Sequence, residues 1–424
     1  SLLTGEYAWR RDDTRILPGD AKMILPTKEE RMTLPSLMQK AGYRTAVIGK
    51  WHLGLGRGNQ PTDWNHHISP GPNEVGFDHA FILAATGDRV PCVYLENGNV
   101  VGLDPADPIQ VSYEKPFPGE KQGSTHPELL KPWAHSNGPQ HNCTIVDGIP
   151  RIGHMTGGTA ALWKDQDMAD RITDEAIKFI RESAAMNRPI FLYFATNDIH
   201  VPRDPHYRFK GKSQMGIRGD VTVQMDDCLG RLRTALTENG YADCLFIFSS
   251  DNGPVINDGY WDGSIRDCKG HNPVAPMGMG TVKNGKLTGG KYGIMEGSTR
   301  VPFIVTWPGH TPQGETSPAL ISQIDLARTL ADLVGAEVPA TDLPDSRNVL
   351  PALLGEEKEG APHIVEQGHG SILAIRKGKY KYYRKGKTEH LYDLSTDITE
   401  SRNLAPKHPP LVNELKALLQ QVQK

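Results

Sequence analysis

Apolar strand patterns alternate with helix patterns along most of this chain. Amphipathic periodicity predicts helices at residues 164–185, 221–238 and 321–334, and continuous apolar runs predict buried strands at residues 44–48, 190–195, 244–248 and 301–307. Consecutive parallel strands need a long crossover between them, and a helix is the usual one. The alternation predicts an α/β fold with a doubly wound, mainly parallel sheet, and a right-handed parallel crossover over residues 190–248.

Two parts of the chain depart from this alternation. Residues from about 88 to 163 show little periodicity and many Pro, Gly, His and Asn residues, which predicts a long, loop-rich insertion. Beyond about residue 360, short strand-like runs end in a helix pattern at 410–423. We therefore expect a main domain over residues 1–360 and a C-terminal subdomain over 361–424, built as a small antiparallel sheet with one helix.

Composition excludes several classes of protein. The net charge is −3 with both signs interspersed, which argues against a nucleic-acid groove or a polybasic membrane patch. The mean hydropathy is −0.47, and the sequence contains no apolar run long enough to span a membrane. We expect no nucleic-acid partner and no membrane span.

Polar side chains follow three of the predicted strands. Lys50 and His52 come directly after the first strand, His200 follows the second, and the pair Asp251 and Asn252 follows the third. In an open α/β sheet the ligand crevice lies beyond the carboxyl ends of the strands. The sequence therefore predicts that these residues line one crevice.

Each of these groups has a functional and a purely structural interpretation. Asp251 and Asn252 offer the oxygen ligands that Ca²⁺ or Mg²⁺ prefers, but Asp-Asn-Gly-Pro is equally good turn chemistry. Lys50 and His52 together can bind an anion and exchange a proton with it, although either residue alone is more often solvated or bonded locally. Lys291 follows two glycines that permit close approach to a ligand, or it lies in an exposed turn.

The order of longer segments resembles the type I, formylglycine-dependent sulfatases of the alkaline phosphatase superfamily, above all bacterial carbohydrate sulfatases and arylsulfatases. The resemblance covers nearly the whole chain and is carried by SLLTG, AGYRTAVIGKWHLG, FLYFATNDIHVP, FIFSSDNG, LTGGKYGIMEGSTRVPFIVTWPG and HLYDLSTDITESRNLA. It implies a sulfuric ester hydrolase whose catalytic domain is the main domain defined above. The implied substrate is a sulfated carbohydrate or a small aryl sulfate, and the implied location is periplasmic or extracellular.

The resemblance also implies roles for individual residues. Lys50 corresponds to a lysine that bridges the nucleophile and the sulfate, and His52 to the base that deprotonates the nucleophile's hydroxyl. His200 and Lys291 correspond to a pair that grips the sulfate and the leaving oxygen. Asp251 and Asn252 correspond to ligands of a calcium ion, with magnesium as the alternative.

The opening Ser1-Leu2-Leu3-Thr4-Gly5 resembles the second half of the motif that carries the family's nucleophile. By that resemblance we expect the formylglycine, made from a Cys or a Ser, to lie upstream of Ser1 together with two further metal ligands and the first strand. Asn197-Asp198 departs from many relatives, which have an additional histidine at this point of the leaving-group side.

Substrate contacts are less well indicated. Arg89 and His154 lie in the insertion and Arg203 follows His200, so each is a candidate for binding sugar hydroxyls or an acidic group, while a solvated side chain is the simpler interpretation. Two other functions stay open: a phosphomonoester or phosphonate ester hydrolase of the same superfamily, and a non-catalytic protein that binds sulfated glycans.

Overall fold

A five-stranded mixed sheet forms the centre of the molecule. The computed structural model describes residues 1–11, 16–136, 138–255, 259–262, 281–282 and 285–424. The helices are α1 Leu34–Lys40, α2 Pro72–Val75, α3 Met168–Ala185, α4 Gly216–Glu238, α5 Glu296–Thr299, α6 Asp325–Leu333, α7 Leu350–Leu353 and α8 Pro409–Val422. The strands are β1 Arg44–Lys50, β2 His79–Leu83, β3 Tyr94–Glu96, β4 Asn99–Val100, β5 Gln110–Ser112, β6 Ile145–Val146, β7 Ile149–Pro150, β8 His154–Thr156, β9 Ile190–Ala195, β10 Phe246–Ser249, β11 Thr281–Val282, β12 Gly285–Lys286, β13 Phe303–Thr306, β14 Ile364–Gln367, β15 Leu373–Lys377, β16 Tyr380–Lys385 and β17 Thr388–Asp393.

Strand order in the central sheet is β4-β3-β2-β1-β9. Strand β1 pairs in parallel with both β2 and β9, whereas β3 and β4 add antiparallel pairings at one edge. The middle of β1 is fully buried, because its run of apolar residues is covered on both faces. Helix α3 packs against β1 and β9, and α1 contacts β1. The α/β class and the mainly parallel character of the central pairing are confirmed.

Local sequence signals account for the first helix. Thr33 caps α1 by accepting a hydrogen bond from the backbone N–H of Ser36, and the Ser36 hydroxyl side chain accepts one from the Thr33 N–H in return. Pro35 lies in the first turn, where its missing N–H costs no hydrogen bond. These local signals account for the start of α1 at Leu34.

The predicted parallel crossover at residues 190–248 is wrong in its pairing. Helix α4 does lead from β9 to β10, but β10 pairs with β13, in the antiparallel sense, and β9 pairs with β1. Among the described residues, neither strand has a partner on its other edge. Every residue of β9 and β10 is half-exposed although most are apolar. Apolarity predicted the two strands, but only the backbone pairing decides which strands are neighbours.

The C-terminal part has its own sheet and its own core. Strands β14 to β17 form an antiparallel meander, and α8 packs against β15 and β16. Its apolar centre includes Ile375, Tyr382, Leu391 and Leu415, all at most 2 % exposed. The small antiparallel sheet with one helix is confirmed, while the boundary at residue 360 stays a prediction. No helix in the described ranges combines the length and the apolar character that crossing a membrane requires.

Candidate active site

The carboxyl ends of β1, β9 and β10 carry the polar residues that the sequence singled out. Lys50 is the last residue of β1, His200 lies in the turn after β9, and Asp251 follows β10. The ends of β1 and β9 approach each other closely: a Cβ on Gly49, whose φ is +108°, would lie 1.9 Å from the carbonyl oxygen of Ala195. Glycine is therefore required at this position for the strand ends to meet.

An ion pair joins the first and third of these strand ends. The Nζ atom of Lys50 lies 2.9 Å from Oδ2 of Asp251, and the Lys50 side chain is only 18 % exposed. Loss of hydration would raise the pKa of Asp251, but the positive charges of Lys50 and Lys291 outweigh it and hold that pKa below its ordinary value. Asp251 is therefore ionised across the physiological range.

His52 is held as a neutral imidazole. Its Nε2 lies 2.8 Å from the backbone carbonyl oxygen of Leu17, which can only accept, so Nε2 carries the hydrogen and Nδ1 is left as an acceptor. Burial, and then the charges of Arg89 and Lys50, lower its pKa to about 4. The backbone of His52 has a φ of +53°, uncommon outside glycine and frequent at functional sites.

His200 shows the opposite tautomer. Its Nδ1 lies 2.8 Å from the carbonyl oxygen of Val201 and so carries the hydrogen, which leaves Nε2 as an acceptor. Burial lowers its pKa to about 4, and Lys50 and Lys291 contribute in the same direction against the charge of Asp88. Within the part of the chain that the structure describes, each histidine thus presents one ring nitrogen as an acceptor at neutral pH.

Lys291 joins this group from a separate loop. Its backbone N–H donates to the carbonyl oxygen of Pro254, which ties its loop to the segment after Asn252. Burial, followed by repulsion from Lys50, lowers its pKa although Asp251 and Asp88 act against both. Its ammonium lies 5.5 Å from the ring centroid of Tyr292, and the Tyr292 side chain is exposed to solvent. A second lysine is therefore held near the first, which favours a bound anion between them.

Asp88 is the residue of this region that the sequence analysis did not select. It is 3 % exposed, and its carboxylate accepts hydrogen bonds from Thr86, from Arg89 at 2.8 Å and from His141 at 3.1 Å. Burial would raise its pKa, but Arg89 and His200 hold it well below the ordinary value. The missed signal was β2, whose apolar run FILAA ends in Thr-Gly-Asp at the same edge of the sheet as Lys50.

The three predicted substrate residues lie in different surroundings. Arg89 donates to Thr86 and Asp88 through one terminal nitrogen, and its charge acts on both His52 and Lys291. His154 is buried in β8, with Nδ1 2.8 Å from Glu120. Arg203 is 1 % exposed and pairs with Asp262 at 2.5 Å. Arg89 belongs to the crevice, whereas His154 and Arg203 are held in the interior by acidic partners.

The chemistry of the strand-end oxygens suits a hard cation. Asn252 donates its side-chain N–H to the carbonyl oxygen of Gly253 at 2.9 Å, so its Oδ1 remains available as a ligand beside the Asp251 carboxylate. In the described part of the chain, one other cluster could bind a metal: His79, Glu96 and Glu175. That cluster lies at the amino end of β2, away from the crevice, and Glu175 is already paired with Arg171 at 3.0 Å.

The fold and the crevice together define a class of protein. It is an α/β protein in which the strand ends and the loop of Lys291 bring two lysines, two neutral histidines and a pair of oxygen ligands around a space suited to an oxyanion. Comparison with known proteins identifies the family. The Sulfatase family model matches residues 2–336, and the model for the C-terminal part of N-sulphoglucosamine sulphohydrolase matches residues 290–424. The chain belongs to the sulfatase family of sulfuric ester hydrolases.

Individual relatives agree with this assignment. The chain is 45% identical to an N-acetylgalactosamine-6-O-sulfatase of Bacteroides thetaiotaomicron, over 99% of this chain and 82% of that protein. It is 27% identical to human arylsulfatase A, over 98% of this chain and 70% of that protein. A solved 6S-sulfatase from the metabolism of multiple glycosaminoglycans by Bacteroides thetaiotaomicron superposes with a TM-score of 0.91 at 44% identity, covering 99% of this chain and 87% of that one. The family expected from the sequence motifs is confirmed.

Proposed function

We propose that this protein hydrolyses a sulfate ester on a carbohydrate, and specifically the 6-O-sulfate of an N-acetylgalactosamine unit. The observation that carries the general reaction is the excess of positive charge around Lys50, Lys291 and Arg89, next to two imidazoles whose pKa values of about 4 keep them neutral. The sugar and the position of the ester rest on the 45% identical relative named above.

The two lysines bind and polarise the ester in this proposal. Lys50 and Lys291 contact the sulfuryl oxygens, and both ammonium groups stabilise the negative charge that these oxygens carry as the ester bond breaks. Their mutual repulsion, which lowers the pKa of Lys291, is relieved when the anion lies between them. Fixed cations of this kind need no reorganisation during the reaction.

The two histidines take opposite proton-transfer roles. His52 accepts a proton at Nδ1, the nitrogen left free by the hydrogen bond to Leu17. His200 interacts with the leaving oxygen through Nε2. With its pKa of about 4, His200 is neutral before the ester binds. A bound anionic ester raises that pKa toward neutrality, so that the protonated ring can donate its proton to the departing alcohol.

Asp251 and Asn252 would hold the metal ion, for which we propose Ca²⁺, with Mg²⁺ as the second choice. The bound cation would add positive charge beside the sulfuryl oxygens and orient the ester. For the nucleophile we propose a formylglycine made from a Cys or a Ser, which would supply the hydroxyl that attacks sulfur. Lys50 is placed to link these parts because it already contacts Asp251 at 2.9 Å.

Hydrolysis by the full-length protein, expressed together with a formylglycine-generating enzyme, tests the proposal. Sulfate release is measured from N-acetylgalactosamine 6-sulfate, from the 4-sulfate isomer, and from an aryl sulfate and aryl phosphate of identical leaving group. We expect the 6-sulfate to have the highest kcat/KM. A preference for the phosphate would establish the alternative phosphoesterase function. Binding of the 6-sulfate without turnover would establish a glycan-binding protein instead.

We further propose that the protein acts in the periplasm or outside the cell, where sulfated polysaccharide fragments are met. The proposal rests on its likeness to a bacterial carbohydrate sulfatase. Fractionation of the native host with an antibody against this chain tests it, and a signal confined to the cytoplasmic fraction would contradict it.

A further inference from the structure

A buried cluster of charged residues joins the C-terminal sheet to α5. Lys381 of β16 is completely buried, and its Nζ atom lies near three buried glutamates: 2.8 Å from Glu366, 3.1 Å from Glu296 and 3.3 Å from Glu400. Glu366 belongs to β14, Glu296 begins α5, and Glu400 lies in the loop after β17. One ammonium therefore joins three separate elements of the chain.

The charges of this cluster are strongly coupled. Burial would lower the pKa of Lys381, but Glu366 and Glu296 raise it above its ordinary value. Burial raises the pKa of Glu400 to about 6 in spite of Lys381. Removal of the Lys381 charge would take from Glu366 and Glu400 the cation with which they pair and would leave Glu296 to Arg300 and Arg376, which is unfavourable for buried carboxylates.

Helix α5 connects this cluster to both loops of the candidate site. The Glu296 N–H donates to the Glu400 carboxylate at 2.6 Å. Two residues further along, the carbonyl oxygen of Ser298 accepts the N–H of Gly253, and its hydroxyl accepts the N–H of Gly290. Gly253 directly follows Asn252, and Gly290 directly precedes Lys291.

The contact between α5 and the Asp251 loop leaves no room for adjustment. A Cβ on Gly253 would lie 2.1 Å from the carbonyl oxygen of Gly297 in α5. A displacement of α5 must therefore move the loop that carries Asp251 and Asn252, because the two backbones are already in contact.

We propose that Lys381 is a positioning residue for the active site: through Glu296 and α5 it fixes the loop of Lys291 on one side and the Asp251-Asn252 loop on the other. The role of the two loops in binding sulfate and metal rests on the proposed function, but the contacts between α5 and these loops are independent of it. The C-terminal sheet then contributes to sulfate and metal binding without touching either ligand.

Three variants of the full-length protein test this role. Lys381→Met keeps the length of the side chain and removes the charge, Lys381→Arg restores it, and Lys377→Met is the control, because Lys377 on the neighbouring strand forms an exposed pair with Glu414. We expect kcat/KM of Lys381→Met to fall roughly 10- to 100-fold, since displacement of a site by about 1 Å has effects of that size. Lys381→Arg should recover most of the loss and the control should resemble the wild type.

The pH profile separates positioning from a general loss of stability. The charged groups facing Lys381 are Glu296, Glu366 and Glu400, and Glu296 is also faced by Arg300 at 3.1 Å and Arg376 at 3.8 Å. In the Lys381→Met variant, the three glutamates repel one another when they are ionised, and this repulsion weakens as they become protonated. Activity of Lys381→Met relative to the wild type should therefore be highest near pH 5 and decrease as the pH rises. A constant ratio across pH, in a variant with native near-UV circular dichroism, would contradict the proposal.

Ser298→Ala tests the connection even if Lys381→Met does not fold. It removes the hydroxyl that holds Gly290 but keeps the backbone bond to Gly253. Binding of inorganic sulfate, measured by calorimetry, should weaken several-fold, while binding of Ca²⁺ alone should not change. Unchanged sulfate affinity would overturn the inference. These binding measurements need no turnover, so a wild type without sulfatase activity would refute the proposed function and leave this test intact.

Discussion

Lys291 and Lys381 are both largely buried lysines, yet their surroundings shift their pKa values in opposite directions. Near Lys291, burial and a second lysine lower the pKa, and near Lys381, three glutamates raise it. The crevice thus contains cations in excess, whereas three glutamates surround the fully buried Lys381 of the C-terminal sheet. An excess of cations is unfavourable until an anion binds. The surroundings of Lys291 therefore indicate ligand binding, whereas those of Lys381 indicate a structural role.

The largest expected difference between the two regions follows from neutralising each lysine. Lys291→Met should lower kcat/KM for the sulfate ester by about 10²- to 10³-fold, since it removes a fixed charge aimed at the reacting group. Thermal stability should stay equal or rise slightly, because repulsion between Lys50 and Lys291 disappears. Differential scanning calorimetry and steady-state kinetics measure both, with Lys379→Met, in an exposed pair with Asp393, as the matched control. A large drop in Tm with normal kinetics would remove the contrast with Lys381.

The next effect concerns the metal. Asp251→Asn keeps an oxygen ligand but removes the carboxylate charge that Ca²⁺ prefers and that pairs with Lys50. Affinity for Ca²⁺, measured by isothermal titration calorimetry, should fall on the order of 10- to 100-fold, as for other changes to a metal site. Asp63→Asn, in an exposed pair with His66, is the control. Equal Ca²⁺ affinity in the variant and the wild type would show that the strand-end oxygens are turn residues.

A smaller effect should appear in the pH dependence of stability. His52 and His200 have folded pKa values of about 4, below the ordinary value of 6.5, so the unfolded chain binds more protons between these limits. Their contribution to stability is present above about pH 6.5 and is lost as the pH falls toward 4. Glu400 acts in the opposite sense: its raised pKa of about 6 makes its contribution largest below 4.5 and lost as the pH rises through 6.

Two variants distinguish these opposite contributions, and the effect of sulfate on Tm tests the histidines separately. The free energy of unfolding, measured with denaturant, should fall less for His200→Gln than for the wild type between pH 6.5 and pH 4. Glu400→Gln should lose less stability between pH 4.5 and pH 6. Inorganic sulfate should raise Tm more at pH 5 than at pH 8, because binding of an anion is linked to protonation of the crevice histidines. A sulfate effect independent of pH would contradict the assignment of His200 to the anion site.

The smallest expected effect is at the rim of the crevice. Arg89→Lys retains the charge but loses the planar fork, part of which is bonded to Asp88 and Thr86. We expect KM for the sulfated sugar to rise several-fold, with little change in kcat. This rise corresponds to a loss of about 1 kcal/mol of binding free energy. Kinetics on sugar sulfate and aryl sulfate check this, since the aryl ester should be less affected. An equal effect on both esters would place Arg89 at the sulfate rather than at the sugar.

Much of the fold could be predicted because its signals are local. Thr33 and Ser36 cap α1 whatever the rest of the chain does, and the apolar runs of β1 and β9 favour strands by their composition. His200 and Asp251 follow β9 and β10 as expected, whereas β1 extends two residues further than predicted, so that Lys50 is its last residue. The order of strands was only partly predictable, because pairing of β10 with β13 depends on backbone contacts between distant segments.

Other features have no local signal. Nothing around Lys381 distinguishes it from Lys377 or Lys379 on the same hairpin, although it alone of the three is completely buried. Likewise, the hydrogen bond between His141 and Asp88 joins residues that are far apart in sequence, and it forms only because the insertion folds back onto the loop after β2.

The sequence alone determined the α/β class, the family and the residue types that line the crevice, because these depend on periodicity and on motifs read in order. Only the tertiary structure decided which ring nitrogen each histidine offers, which charges share a site, and how α5 ties the C-terminal sheet to Lys291 and Asp251. Burial and long-range electrostatics set these properties. Both depend on which parts of the chain meet in space rather than on which residues follow one another.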